Sequence, residues 1–172
     1  AKALGGRYTV LFNGVELETF AKATAWPTEG PTIFFIGRHE PRKGLAVLLE
    51  AMTELPPHVR LWIAGDGPET AALAQQVAGD ARIEWLGRIS DDEKARRLRG
   101  ADVFCAPSLH GESFGVVLLE AMAADTPVVA SDLPGYSNVA RLGRDALLVP
   151  PGDSAALATG LRRLLTDGAL AA

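Results

Sequence analysis

Apolar residues occur along this chain in short unbroken runs that end at glycine or proline, and the runs alternate with stretches of helical period. TIFFIG at 32–37, RLWIAG at 60–65, RIEWLG at 82–87, DVFCAP at 102–107 and PVVASD at 127–132 read as strands buried on both faces, as in parallel sheets. ALLVPPG at 146–152 adds a last short strand. Amphipathic segments lie between them. LAVLLEAMTEL is stopped by Pro56-Pro57, a helix runs from the DGPE turn through Ala78, and EKARRLRG is a basic helix after the loop ISDD. VVLLEAMAA follows, then a short helix over 133–139 and a final helix over 154–165 with Asp153 as its N-cap. This alternation predicts an α/β fold, a Rossmann-like parallel six-stranded sheet with helices on both faces. Ligands of such sheets sit beyond the carboxyl ends of the strands, where the strand order reverses. Gly37, Gly65, Gly87 and Pro107 mark those ends.

The stretch PSLHGESFGVVLLEAMAA, residues 107–124, concentrates the candidate chemistry. A loop carrying Gly111, Glu112, Ser113, Phe114 and Gly115 runs into a helix whose Val117, Leu118, Ala121 and Met122 share a core-facing side. Backbone N–H groups and the helix dipole converge where the loop becomes the helix, which suits an anion. Glu112 stands before the helix. Glu120 stands two turns into it, in an apolar run where a carboxylate needs a partner, either protein or ligand. Taken singly, each feature also fits a solvated glutamate or a plain turn.

The loop after the first strand offers Arg38 and Lys43, a planar fork and a point charge suited to a diphosphate, or else two solvated charges. Arg42 is expected to point outward. Gly65-Asp66-Gly67-Pro68 either admits a ligand close to the backbone or only turns the chain. After the third strand come Ile89, Asp91 and Lys94. Asp91 can accept two donors from a purine edge such as guanine, or cap the next helix, and Lys94 can reach a carbonyl oxygen. Arg96, Arg97 and Arg99 read as a solvated face. His39, His58 and His110 lack metal-ligand spacing and His110 reads as loop surface, so no metal site is expected. Arg38 and Lys43 would then do a metal's work when a diphosphate leaves.

A formal net charge of −4 over 172 residues, with no basic stripe, argues against nucleic acid. The single cysteine, Cys105, falls in an apolar strand pattern and reads as a buried, inert thiol in a reducing compartment. No run is long enough to span a membrane and no signal-peptide pattern occurs, so a cytoplasmic protein is expected, with a peripheral membrane role still compatible. Residues 1–31 break the pattern: a short strand over 8–12, the turn Asn13-Gly14, then 15–31 with no regular element. They read as the last strand of an amino-terminal domain that is not present, plus an interdomain linker, ahead of a nucleotide-binding domain over 32–172.

GRHEPRKG, GDGPE, PSLHGESFG, VVLLEAMAA and PVVAS resemble, in that order, the carboxyl-terminal domain of family-4 retaining glycosyltransferases of the GT-B fold, over about residues 8 to 167. EPRKG, ESFG and ISDDEK are most similar to actinobacterial phosphatidylinositol mannosyltransferases, which use GDP-mannose. The resemblance implies a nucleotide-sugar donor, with no tightly bound cofactor and no metal required by this domain. Arg38 and Lys43 would hold the diphosphate, with Gly37 and Gly65 beside it. Glu112 would contact the transferred sugar, helped by the backbone at Ser113, Phe114, Gly115 and Val116. Glu120 would take the ribose hydroxyls, and Ile89, Asp91 and Lys94 the guanine.

Mannose would pass to phosphatidyl-myo-inositol with retention, at the inner face of the plasma membrane, where an anionic lipid is a candidate partner. The amino-terminal domain of the same enzyme would bind the acceptor, so this chain alone is expected to bind donor weakly and transfer nothing. Four departures stand out. Asp125 replaces a usual glycine and should adopt a left-handed conformation, and the first loop is shorter by a residue. The family's Asn-Gly-Val-Asp reads Asn13-Gly14-Val15-Glu16, and the final crossover helix is not found after Leu170. Two alternatives remain open, a UDP-sugar enzyme, which would give Asp91 no paired donors, and a free-standing nucleotide-binding module. A nicotinamide oxidoreductase lacks its glycine fingerprint here.

Overall fold

Each predicted apolar run pairs in one parallel sheet, as β1 (Thr32–Ile36), β2 (Arg60–Ala64), β3 (Ile83–Gly87), β4 (Val103–Ala106), β5 (Val128–Ser131) and β6 (Leu147–Val149). The computed structural model of the chain describes residues 14–141 and 144–166. The strand expected over 8–12, the Asn13 turn and the region after Leu170 lie outside them. Strand order is β3-β2-β1-β4-β5-β6, so the direction of winding reverses between β1 and β4.

One face of the sheet carries Ile33, Phe35, Leu61, Ile63 and Cys105 under α2 (Leu45–Met52), α3 (Thr70–Gln76) and α6 (Ser154–Thr166). The other carries Phe34, Trp62, Phe104 and Ala130 under α1 (Leu17–Ala21), α4 (Asp91–Gly100) and α5 (Val116–Ala123). Helices on both faces explain why β1, β4 and β5 are apolar at almost every position.

Four expectations are corrected. Residues 15–31 are not devoid of regular structure, because α1 forms there, buries Phe20, and is followed by a Trp26 N–H donating to the Arg96 carbonyl (2.8 Å). The helix expected over 133–139 is a succession of turns, with Tyr136 and Ser137 both donating to the Leu133 carbonyl and Val139 to that of Tyr136. A Cβ on Gly135 would lie 2.0 Å from the Glu112 carbonyl, so the segment is pressed against the central loop. Arg97 is not solvated. It is 4% exposed, with its guanidinium 4.4 Å from the Trp26 ring centroid and 4.7 Å from that of Trp62. Helix α4 starts at Asp91 rather than Glu93, because the Ser90 hydroxyl accepts the Glu93 N–H (3.1 Å) and acids fill the first turn. Ser90, and not Asp91, is therefore the cap.

The expected strain at Asp125 is present, with φ at 53°. Thr126 donates to the Ala121 carbonyl (2.9 Å) and Asp125 to that of Met122 (3.0 Å), a closure that usually takes glycine. Arg99 compensates by bonding both the Ala124 carbonyl (2.9 Å) and the Asp125 carboxylate.

Candidate functional site

The loops leaving β1 and β4 meet at the reversal point. The Leu109 N–H donates to the Arg42 carbonyl (2.7 Å), and a Cβ on Gly44 would fall 2.0 Å from the Pro107 carbonyl oxygen. Helices α2 and α5, which begin there, start on Gly44 (φ 68°) and Gly115 (φ 77°), with no side chain capping either. The short helices α1 and α3 also lack a side-chain cap, whereas Ser90 caps α4 and in α6 the Asp153 carboxylate accepts the Ala156 N–H (2.8 Å). Where the two loops meet, α2 and α5 leave their first N–H groups to whatever occupies the crevice.

Two lysine–glutamate pairs close across this region. Lys43, after β1, donates to Glu112, after β4 (Nζ–Oε1 2.6 Å). Lys94 on α4 donates to Glu120 on α5 (2.9 Å) and also pairs with Asp91 (3.3 Å). Glu120 therefore has the partner that its apolar helix demanded. Burial alone would lower the Lys94 pKa, but the hydrogen bond and charge of Glu120, joined by Asp91, outweigh it and hold the ammonium above the usual lysine value. Phe20 of α1 lies beneath, its ring centroid 5.6 Å from Lys94 Nζ.

The remaining expected residues fall around these pairs. Arg38 is exposed and approaches Glu40 (3.6 Å). Arg42 does not point outward. It pairs with Glu40 (2.7 Å) and reaches toward Glu112 Oε1 (3.6 Å). Gly37 and Gly65 touch through backbone, since a Cβ on Gly65 would meet the Gly37 carbonyl at 2.0 Å. Ile89 packs against the core beneath α4, while the Asp91 side chain is 96% exposed. Ser113 is exposed, Phe114 half-buried, Gly115 buried, and Val116 opens α5.

A cleft of about 560 Å³ is lined by Ile36, Gly37, Arg38, Gly65, Gly67 and Pro68, together with Asp66 and Arg88, which form an ion pair (3.0 Å). It does not include the two lysine–glutamate pairs. The Lys43 stem lies against its wall, Cδ being 4.0 Å from a Cβ built on Gly37. Among the described residues no group of three or more His, Cys, Asp or Glu could hold a metal ion, and no helix is long and apolar enough to cross a membrane.

Several contributors carry no signal in the sequence. His39 is fully buried, bonding Thr70 Oγ1 (2.8 Å), while its backbone N–H donates to the Asp66 carbonyl (2.9 Å). It ties the Lys43 loop to the turn after β2. Burial lowers its pKa, against the opposing pull of the Ala64 carbonyl, Asp66 and Glu69. Ser108 donates to Glu112 Oε1 (2.9 Å) and lies 3.1 Å from the Tyr136 hydroxyl. Cys105 is buried as expected, and burial pushes its thiol pKa up.

A family profile described as Glycosyl transferases group 1 matches residues 30–167. Phosphatidyl-myo-inositol mannosyltransferases of Mycobacterium leprae (strain TN) and Mycolicibacterium smegmatis are 46% and 45% identical, over 98% and 99% of this chain. The chain spans 47% and 46% of their lengths, about half of each. Among solved structures, Anabaena HepE in complex with UDP and glucose matches with a TM-score of 0.83 at 25% identity, covering 95% of this chain and 48% of that one. Sucrose-phosphate synthase from Thermosynechococcus elongatus matches with a TM-score of 0.81 at 31% identity, covering 92% and 43%.

Proposed function

The chain belongs to the glycosyl transferases group 1 family, and from that premise we propose that it is the donor-binding half of a retaining GT-B enzyme that transfers mannose from GDP-mannose to phosphatidyl-myo-inositol. The observation that carries this reading is the meeting of two lysine–glutamate pairs with two helix N-termini that no side chain caps. The mannosyltransferase names of the 46% and 45% identical relatives support the choice of sugar and acceptor. In this reading residues 32–172 are the donor domain, with α1 and Trp26 of the preceding segment packed on it, and the acceptor is bound by an amino-terminal domain of the same enzyme. Transfer needs both walls, because donor and acceptor must be held in attacking geometry. The acceptor lipid would bring the enzyme to the inner membrane face as a peripheral protein.

The diphosphate fits between the openings of α2 and α5, with Lys43 and Arg38 as its cations. As the bond from sugar to phosphate breaks, negative charge grows on the departing oxygen, and cations already in place lower that barrier. Glu112 has an oxygen to offer the sugar hydroxyls and Glu120 suits the ribose diol. Asp91 is exposed at the start of α4, where a base edge with two donors would find it.

A second reading keeps the chemistry and changes the donor to a UDP-sugar. The Anabaena structure with UDP and glucose favours it. Calorimetric titration of this chain with GDP, UDP and ADP, repeated on Asp91→Ala, separates the two. GDP should bind most tightly, and Asp91→Ala should erase a preference of roughly three- to tenfold. Tightest binding of UDP would sink the mannosyl assignment, and no binding of any nucleotide to the folded chain would sink the donor-site reading.

A further inference from the structure

Glu112 is held through one oxygen. Lys43 Nζ (2.6 Å), Ser108 Oγ (2.9 Å) and, farther off, Arg42 Nη1 (3.6 Å) all approach Oε1, and among the described residues no partner reaches Oε2. A carboxylate only accepts, so Ser108 must give its single proton to Glu112 and accept from the next hydroxyl behind it. That hydroxyl is Tyr136, 3.1 Å from Ser108 Oγ. Both side chains are almost fully buried, at 1% and 2% exposure for Tyr136 and Ser108, so their hydrogens have no competing solvent. Burial pushes the Tyr136 pKa up, despite the Ser108 hydrogen bond that works to lower it, and the phenol stays a donor.

The main chain is braced by the same turns. A Cβ on Gly115 would sit 2.8 Å from the Tyr136 ring, and Gly135 backs directly onto the Glu112 carbonyl. A lysine holding Glu112 alone would free the acid whenever it turned to a phosphate. With Ser108 in place, the carboxylate keeps a hydrogen bond that no ligand competes for.

We propose that Ser108 and Tyr136 are positioning residues that anchor Glu112 by Oε1, so that Oε2 faces the transferred sugar while Lys43 is drawn to the diphosphate. This rests on the reading of Glu112 as the sugar-facing acid, and the test separates the two. Its first arm needs no ligand: in crystals of the Ser108→Ala chain the Glu112 carboxylate should leave its present position. If it stays on Lys43 in the same orientation, the proposal is overturned.

The second arm titrates GDP-mannose and GDP into wild type, Ser108→Ala and Tyr136→Phe, the last of which keeps the ring that packs under Gly115. Binding of GDP-mannose should weaken roughly three- to tenfold while GDP is unchanged, and Ser108→Thr, which restores a hydroxyl, should recover it. Equal weakening of both ligands would mean a merely structural role and overturn the proposal. Glu112→Gln is the control. If it does not alter the ratio of the two affinities, the reading of Glu112 itself fails. If it does and the hydroxyl variants do not, only the present inference fails.

Discussion

The two lysine–glutamate pairs look alike by distance, 2.6 Å for Lys43–Glu112 and 2.9 Å for Lys94–Glu120, yet they are wired in opposite senses. In the first the acid is the hub, since Glu112 takes Lys43, Ser108 and the approach of Arg42 on one oxygen. In the second the base is the hub, since Lys94 serves Glu120 and Asp91 and rests over Phe20. The partner with more attachments stays and the other is available for exchange. Under the proposed function, the first wall then releases a cation to an incoming anion. On the second a carboxylate can be released to incoming hydroxyls. Binding then swaps one set of partners for another rather than bringing bare charges out of water, whose desolvation would be costly.

Removing the exchangeable member of each pair should break the comparison most sharply. Glu120→Ala should weaken every nucleotide alike, by about 1.5–3 kcal/mol in calorimetry, whatever the base. Loss confined to one base would contradict the assignment to ribose. Lys43→Met should cost about tenfold for nucleoside diphosphates and little for the nucleoside. Its Glu112 should remain on Ser108 in the crystal, whereas a Glu112 that swings free would show that the lysine was its true anchor.

Acid should loosen the first wall before the second, because His39 backs only the loop that carries Lys43. The folded chain holds this imidazole below its ordinary value of 6.5, so the unfolded chain takes up the proton first. Stability is therefore full above about pH 6.5 and is lost as the pH falls through the folded value. Urea midpoints measured from about pH 7 down to pH 5 should drop, and the drop should shrink in His39→Gln. The smallest effect belongs to the far end of the helix that bears Glu120. Asp125→Gly relieves a left-handed backbone at the loss of the Arg99 contact, and should raise stability by less than about 1 kcal/mol without altering nucleotide affinity.

The sheet was legible because strands covered on both faces must be apolar throughout, and no other element leaves so plain a trace in composition. The candidate acids and cations could be named because loops at strand ends are short and their charges few. What escaped depends on contacts between distant parts of the chain. Helix α1 is too short to show a period and is held by Phe20 packing beneath Lys94. Arg97 has the spacing of a surface arginine, and only folding sets Trp26 and Trp62 against it. The hydroxyls of Ser108 and Tyr136 lie 28 residues apart in the sequence and belong to no pattern until the turns after β5 close on the central loop. Arg42 reads as outward in the sequence, but Glu40 and Glu112 together draw it in.

The tryptophans give the molecule an uneven optical voice. Trp26 and Trp62 face the Arg97 guanidinium, and the third, Trp85, meets the His39 ring edge-on at 5.7 Å. All three precede β4, so tryptophan fluorescence reports chiefly on β2, β3, α4 and the segment docked against them. The half of the sheet from β4 onward, with the helix that bears Glu120, carries no tryptophan. A loosening of α5 or of the turns around Tyr136 would register less in a melt followed by tryptophan fluorescence than in one followed by circular dichroism, and the gap between the two curves would measure how far the two halves of this sheet unfold as one.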